Sequence, residues 1–227
     1  MQIYRTLWTI AAIAPSLPIT AALTQEDRWE KNIAAFEEAD AKSASEKGAT
    51  LFIGSSSIVM WDTAASFPGY TTINRGFGGS QIVDSLRYAD RIVIPYEPKL
   101  AIFYAGDNDI VAGKSPRQVF SDYKAFVAKV HKALPKTEIQ FIAIKPSLAR
   151  WSLVEAMREA NALIRDFTKE YAYLGYVDID APMLGNDGKP RKELFVGDGL
   201  HMTKEGYAVW NAIIAPILKA NEGSDTK

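Results

Sequence analysis

Short apolar runs recur along this chain, and most are followed at once by glycine, serine or a side chain bearing a carboxylate or amide. Thr50–Ile53 (TLFI) leads into Gly54-Ser55-Ser56-Ser57, and Thr71–Ile73 leads into Asn74-Arg75-Gly76-Phe77-Gly78-Gly79. Leu100–Tyr104 (LAIFY) precedes Gly106-Asp107-Asn108-Asp109, Ile139–Ile144 (IQFIAI) precedes Lys145-Pro146, and a weaker run covers Gly175–Ile179. Runs of this length bounded by turn residues read as strands, and their near-continuous hydrophobicity marks strands buried on both faces.

Between these runs the apolar period lengthens to that of a helix. Thr24 reads as an N-cap with Asp27 three residues on, and Trp29, Ile33 and Phe36 share one face. Ser115-Pro116 is a cap followed by a first-turn proline, with Val119, Tyr123, Phe126 and Val130 as the buried stripe. Val154, Met157, Ile164, Phe167 and Tyr171 mark another helix, and a last one opens near Thr203 with Val209, Ile213, Ile214 and Ile217. The alternation predicts one doubly wound α/β domain, a parallel sheet of about five strands covered by helices on both faces. Such a sheet binds ligands beyond the carboxyl ends of its strands. The polar clusters fall there.

Composition removes several alternatives. The chain has no cysteine, which excludes disulfides, thiol nucleophiles and cysteine-ligated metals. Its 26 basic and 27 acidic residues give a net charge of -1 with no basic run, so no nucleic-acid partner is expected. The two histidines, His131 and His201, lack His-x-x-x-His spacing, and no metal site is expected. Gly76-Phe77-Gly78-Gly79 lacks the Lys-Ser/Thr of a phosphate loop.

The amino terminus carries a targeting pattern. Met1–Thr6 holds one cation, Arg5; Leu7–Ile19 is mostly apolar; and Thr20-Ala21-Ala22 supplies small residues. This is the pattern of a secretory signal peptide cleaved after Ala22, giving a periplasmic or secreted protein with no stable membrane insertion after cleavage. Pro15, Pro18 and the short apolar length count against a spanning helix. The expected organisation is a signal peptide over 1–22, one domain over 23–220 and a polar, fraying tail over 221–227.

Taken singly, the polar clusters are ambiguous. Serines after a strand commonly cap the next helix, Asn108 suits a turn, and Asp198-Gly199-Leu200-His201 suits an Asx turn beside a surface histidine. His131, flanked by Lys129 and Lys132, reads as part of a solvated helix face. His201 is then the candidate general base, with Asp198 three residues earlier to orient its ring.

Four blocks together resemble the SGNH (GDSL-like) hydrolases: Phe52-Ile53-Gly54-Ser55-Ser56-Ser57-Ile58, Asn74-Arg75-Gly76-Phe77-Gly78-Gly79, Gly106-Asp107-Asn108-Asp109 and Asp198-Gly199-Leu200-His201. The resemblance spans roughly residues 49 to 210. It implies a flavodoxin-like three-layer α/β/α sandwich and ester hydrolysis of a small-molecule substrate with no cofactor. Ser55 stands where the family has the aspartate of Gly-Asp-Ser, and Gly-Ser-Ser-Ser resembles the platelet-activating-factor acetylhydrolase-like branch. The family register makes Ser56 the nucleophile, with Trp61 as the tryptophan that often follows five residues later; Ser57 is the runner-up. Asp198 and His201 complete the implied triad, and the Ser56 and Gly79 backbone N–H groups with the Asn108 amide form the implied oxyanion hole. Ile58 stands where a Gly-x-Ser-x-Gly elbow needs its second glycine, which argues against the ordinary α/β-hydrolase fold.

The loop Lys145-Pro146-Ser147-Leu148-Ala149-Arg150-Trp151 should border the same crevice. Trp151 beside two cations suits a polar or anionic substrate portion, and it equally suits a proline turn with Arg150 and Trp151 packed on the surface. Asp109 is expected to brace its loop. Three functions fit: an esterase for small acyl groups on carbohydrate or lipid-like substrates, a lysophospholipase or thioesterase, and a non-catalytic carbohydrate-binding module.

Overall fold

The computed structural model describes residues 28–222; the expected signal peptide, Thr24, Asp27 and residues 223–227 lie outside them. In chain order the elements are α1 (Glu30–Lys42), β1 (Thr50–Gly54), α2 (Ser56–Val59), α3 (Thr63–Ser66), β2 (Thr72–Gly76), α4 (Ile82–Ile92) and β3 (Leu100–Tyr104). Then follow α5 (Asp107–Val111), α6 (Pro116–Ala133), β4 (Glu138–Ile142), α7 (Val154–Thr168), β5 (Leu174–Val177) and α8 (Lys204–Glu222). All strand pairs are parallel and the order is β2-β1-β3-β4-β5. This is the flavodoxin-like order, whose topological switch point lies between β1 and β3.

Strand alternation sends consecutive side chains to opposite faces. Leu51, Ile53, Ala101, Phe103, Ile139 and Phe141 pack into a core with residues of α1, α4, α6 and α7. Phe52, Leu100, Ile102, Tyr104 and Ile142 pack on the other side against Ile58, Trp61 and the α8 residues Trp210, Ile214 and Leu218. The result is the expected three-layer α/β/α sandwich. Among the described residues no helix is long and apolar enough to cross a membrane.

Element ends differ from the sequence reading where side chains or pairing intervene. β2 runs on through Asn74, Arg75 and Gly76 because β1 pairs with it up to Gly54. β4 ends before Ile144, whose N–H and carbonyl are both taken by the side-chain amide of the buried Asn161. α7 stops at Thr168, whose hydroxyl donates to the Arg165 carbonyl at 2.8 Å, so Tyr171 lies outside the helix. In α8 the buried stripe is Tyr207, Trp210, Ile214 and Leu218, and the expected Val209, Ile213 and Ile217 flank it. Asn221 and Glu222, expected in the tail, still belong to α8. His131 is not on a freely solvated face: its ring stacks on Tyr173, the residue before β5, at 3.8 Å.

The β1–β3 junction is tight. Gly54 has φ +139, and a Cβ there would lie 1.8 Å from the Tyr104 carbonyl oxygen, a backbone atom that cannot step aside. Gly69 (φ +98) has open space around it. Gly54→Ala is therefore expected to lose more than about 3 kcal/mol in urea unfolding, and Gly69→Ala about 1–2 kcal/mol for its backbone alone. A Gly54→Ala protein as stable as Gly69→Ala would contradict the close approach.

Candidate active site

Ser56 opens α2 directly after β1. Ser55 N–H donates to the Tyr104 carbonyl at 3.0 Å and Phe77 N–H to the Gly54 carbonyl at 2.9 Å, so strand pairing continues to the edge of the site. Asn74 props the short α2 from below, donating from Nδ2 to the Ile58 and Trp61 carbonyls at 2.7 and 3.1 Å. Trp61 is buried and donates to Asn211 Oδ1 at 2.9 Å, which ties the segment to α8. Tyr207 of α8 donates to the Ser57 carbonyl at 2.9 Å.

The sequence-predicted triad residues meet. His201 Nε2 lies 3.0 Å from Ser56 Oγ, and His201 Nδ1 lies 2.6 Å from Asp198 Oδ2. Asp198 Oδ1 accepts from the Leu200 and His201 N–H groups, each at 2.9 Å. These backbone donors, together with the imidazole, hold its carboxyl down to about 2. Because the carboxylate is half exposed, solvent screens much of what this contributes to stability. That contribution is present above the ordinary carboxylate range and is lost as pH falls through about 2.

Ser57 is placed differently. It is buried, and its hydroxyl receives a hydrogen bond from Lys145 Nζ at 3.0 Å. Geometry therefore separates the two serines: one faces the imidazole, the other faces inward.

The Gly78-Gly79 loop is held to the end of β1 on both sides, Phe77 N–H and Ser80 Oγ each donating to the Gly54 carbonyl. Trp29 Nε1 donates to the Gly78 carbonyl at 2.9 Å, pinning the loop to the start of α1. Gly79 has φ +75, and a Cβ there would meet only the Arg28 guanidinium at 3.0 Å. Glycine is thus required there by backbone conformation rather than by crowding. The N–H groups of Ser56 and Gly79 make no hydrogen bond among the described residues. Asn108 Nδ2 donates to the Ser80 carbonyl at 3.0 Å, holding the amide against the same loop.

Asp109 braces its loop, as expected. Buried, it accepts from Ile82 N–H at 3.2 Å and from Lys114 Nζ at 2.9 Å, securing the start of α4. Of the Lys145–Trp151 loop, Lys145 is enclosed and unavailable to a substrate, and burial lowers its pKa against the opposing pull of Asp107. Arg150 turns inward to Asn108 and Asp107. Trp151 packs under the Arg158 guanidinium at 5.6 Å. The sequence reading missed Lys145 as a buried group; a lysine directly after an apolar strand was the only available signal.

Residues 52–209 match the model of the GDSL-like Lipase/Acylhydrolase family. The chain belongs to this family. It is an ester-hydrolysing enzyme of SGNH/GDSL type. Among solved structures, the acylhydrolase is similar to a candidate platelet activating factor from Streptococcus pneumonia (22% identity, TM-score 0.75, 83% of this chain and 92% of that one). It is also similar to a GDSL-like lipase from Bacteroides thetaiotaomicron (22%, TM-score 0.69, 85% and 98%). A third similar structure is an acetyl esterase with a bound acetate ion (15%, TM-score 0.62, 78% and 99%). No curated protein matches the sequence.

Because its carboxyl is held down to about 2, Asp198 should keep its charge throughout mild acid. Replacing Asp198 by Asn is therefore expected to remove a charge that is present at every pH above about 3, and log kcat/KM of the native enzyme should show no break from this carboxylate between about pH 7 and 4. A break in that range that disappears in Asp198→Asn would contradict the lowered carboxyl.

Proposed function

We propose that the acylhydrolase is an exported serine esterase that removes small acyl groups, acetyl foremost, from carbohydrate or lipid-like alcohols. The observation that carries this reading is the continuous hydrogen-bonded line from Ser56 through His201 to Asp198. A serine hydroxyl is a weak nucleophile until a base takes its proton. As Ser56 Oγ bonds to the ester carbonyl carbon, that proton passes to His201 Nε2. Asp198, ionised and bonded to Nδ1, keeps the tautomer that leaves Nε2 free to accept and stabilises the imidazolium.

The carbonyl oxygen becomes an oxyanion, met by the free N–H groups of Ser56 and Gly79 and by the Asn108 amide. Collapse breaks the bond to the alkoxide, which leaves with the proton from Nε2. Water then attacks the acyl-serine, giving its proton to His201; the second collapse returns a proton to Ser56 and releases the carboxylic acid. No cofactor enters either half.

The acetyl preference draws support from the likeness to an acetyl esterase structure. The Gly54-Ser55-Ser56-Ser57 variant and the likeness to the Streptococcus protein support the platelet-activating-factor acetylhydrolase-like branch. Export rests on the pattern of residues 1–22. One observation favours a lysophospholipase or thioesterase instead: a cavity of about 560 Å³ beside the Asp198 loop, where Leu148, Phe195 and Val196 line the wall together with Lys192 and Glu193.

Ser56→Ala is expected to abolish hydrolysis of nitrophenyl acetate while the fold persists; wild-type turnover by this variant would overturn the reading. Across nitrophenyl acetate, butyrate and octanoate, kcat/KM should fall with chain length. A maximum at octanoate would transfer the assignment to the lipid-directed alternative.

A further inference from the structure

Beneath the oxyanion site lies a group of charged side chains that the hydrolytic steps above do not use. Asp107 and Lys145 are buried, and Arg150 is nearly so. Lys145 Nζ donates to Ser57 Oγ and Tyr104 OH, each at 3.0 Å, and lies 3.5 Å from Asp107 Oδ2. Arg150 Nη1 sits 2.8 Å from the same carboxylate oxygen, off the hydrogen-bonding axis, so that contact is an ion pair without a directed bond. The directed bond from Arg150 goes elsewhere: Nη2 donates to Asn108 Oδ1 at 2.9 Å. Asp107 Oδ1 in turn accepts from Asn108 N–H at 3.0 Å.

These contacts fix which end of the Asn108 amide is which. The Ser80 carbonyl can only accept, so it requires the NH2 end at its 3.0 Å contact. A guanidinium can only donate, so Arg150 requires the oxygen end. One Nδ2 hydrogen is spent on Ser80, and the other is left for a substrate oxyanion. A cation on the amide oxygen also draws electron density from the nitrogen, which strengthens the remaining N–H as a donor. Asp107 holds the guanidinium in place, and Lys145 offsets the second charge that a buried carboxylate would otherwise bring near the oxyanion.

We propose that Arg150, anchored by the Asp107–Lys145 pair, is a positioning residue that orients and polarises the Asn108 amide for the transition state rather than a substrate-binding cation. This rests on the serine-esterase reading and deepens it. Arg150 acts through Asn108, so its contribution should exist only while Asn108 is present. The effect should fall on kcat, because the oxyanion forms only as the nucleophile attacks.

The test is a double-mutant cycle on nitrophenyl acetate with Arg150→Met, Asn108→Ala and the double variant, with Ser56→Ala alongside and folding followed by circular dichroism. Asn108→Ala should lower kcat by about 10² to 10³, and Arg150→Met by roughly 10- to 100-fold with KM changed less than about twofold. The double variant should be no more than about threefold slower than Asn108→Ala alone, because the two residues act as one unit. Arg150→Lys, which keeps the charge and one donor, should recover part of kcat. If Arg150→Met does not fold, Arg150→Lys takes its place in the cycle.

A raised KM with unchanged kcat would make Arg150 a substrate contact, and multiplicative losses in the double variant would show that it acts independently of Asn108; either overturns the proposal. An active Ser56→Ala would instead overturn the esterase reading itself.

Discussion

The side-by-side pairing of β1 and β3 is the constraint on which the rest of the site depends. In the order β2-β1-β3-β4-β5 the chain leaves β1 and β3 toward different helices, and the crevice between them is where Ser56 and Asn108 emerge. The approach is close enough that Gly54 must lack a side chain against the Tyr104 carbonyl. With that contact fixed, Ser55 and Phe77 continue the backbone bonding past the strand ends. Ser56, the glycine loop and the Asn108 amide thereby share one rigid edge. The hydrolytic geometry is a consequence of sheet topology, with loop conformation refining it.

The third element of the site comes from the far end of the chain. Asp198 and His201 sit just before α8, whose buried Tyr207 and Trp210 pack against the layer that holds α2. Tyr207 also bonds to the Ser57 carbonyl at 2.9 Å. The helix that follows His201 therefore holds the segment that carries Ser56, so the 3.0 Å separation of His201 Nε2 and Ser56 Oγ is set by core packing. Three consecutive serines take three fates. Ser56 faces the imidazole, Ser57 anchors to the buried lysine, and Ser55 is buried.

Much of this was legible in the sequence, for reasons that differ by element. β3 is legible to the residue because its five side chains are all buried and none is charged. β2 and β4 were displaced at their ends because Asn74, Arg75 and Glu138 join strands through pairing partners, which local hydrophobicity does not register. α4 is absent from the helical patterns of the sequence reading: its buried stripe of Ile82, Tyr88, Ala89 and Ile92 also takes in the polar Asp84 and Ser85, and its start is fixed by Asp109 from another loop. His201 stood out through scarcity, since the chain has two histidines. The inward turn of Arg150 and the burial of Lys145 were not legible, because both depend on Asp107 arriving from β3. The stacking of His131 on Tyr173 likewise needed the β5 connection.

On the proposed reading, the Ser56–His201–Asp198 line makes Ser56, and not Ser57, the nucleophile. A fluorophosphonate probe reports this directly, because it bonds covalently only to a serine whose proton is being taken by a base. After labelling of the native protein, peptide mass mapping should place the adduct on Ser56, with labelling abolished in His201→Ala. An adduct on Ser57, or no adduct on a folded protein, would contradict the account.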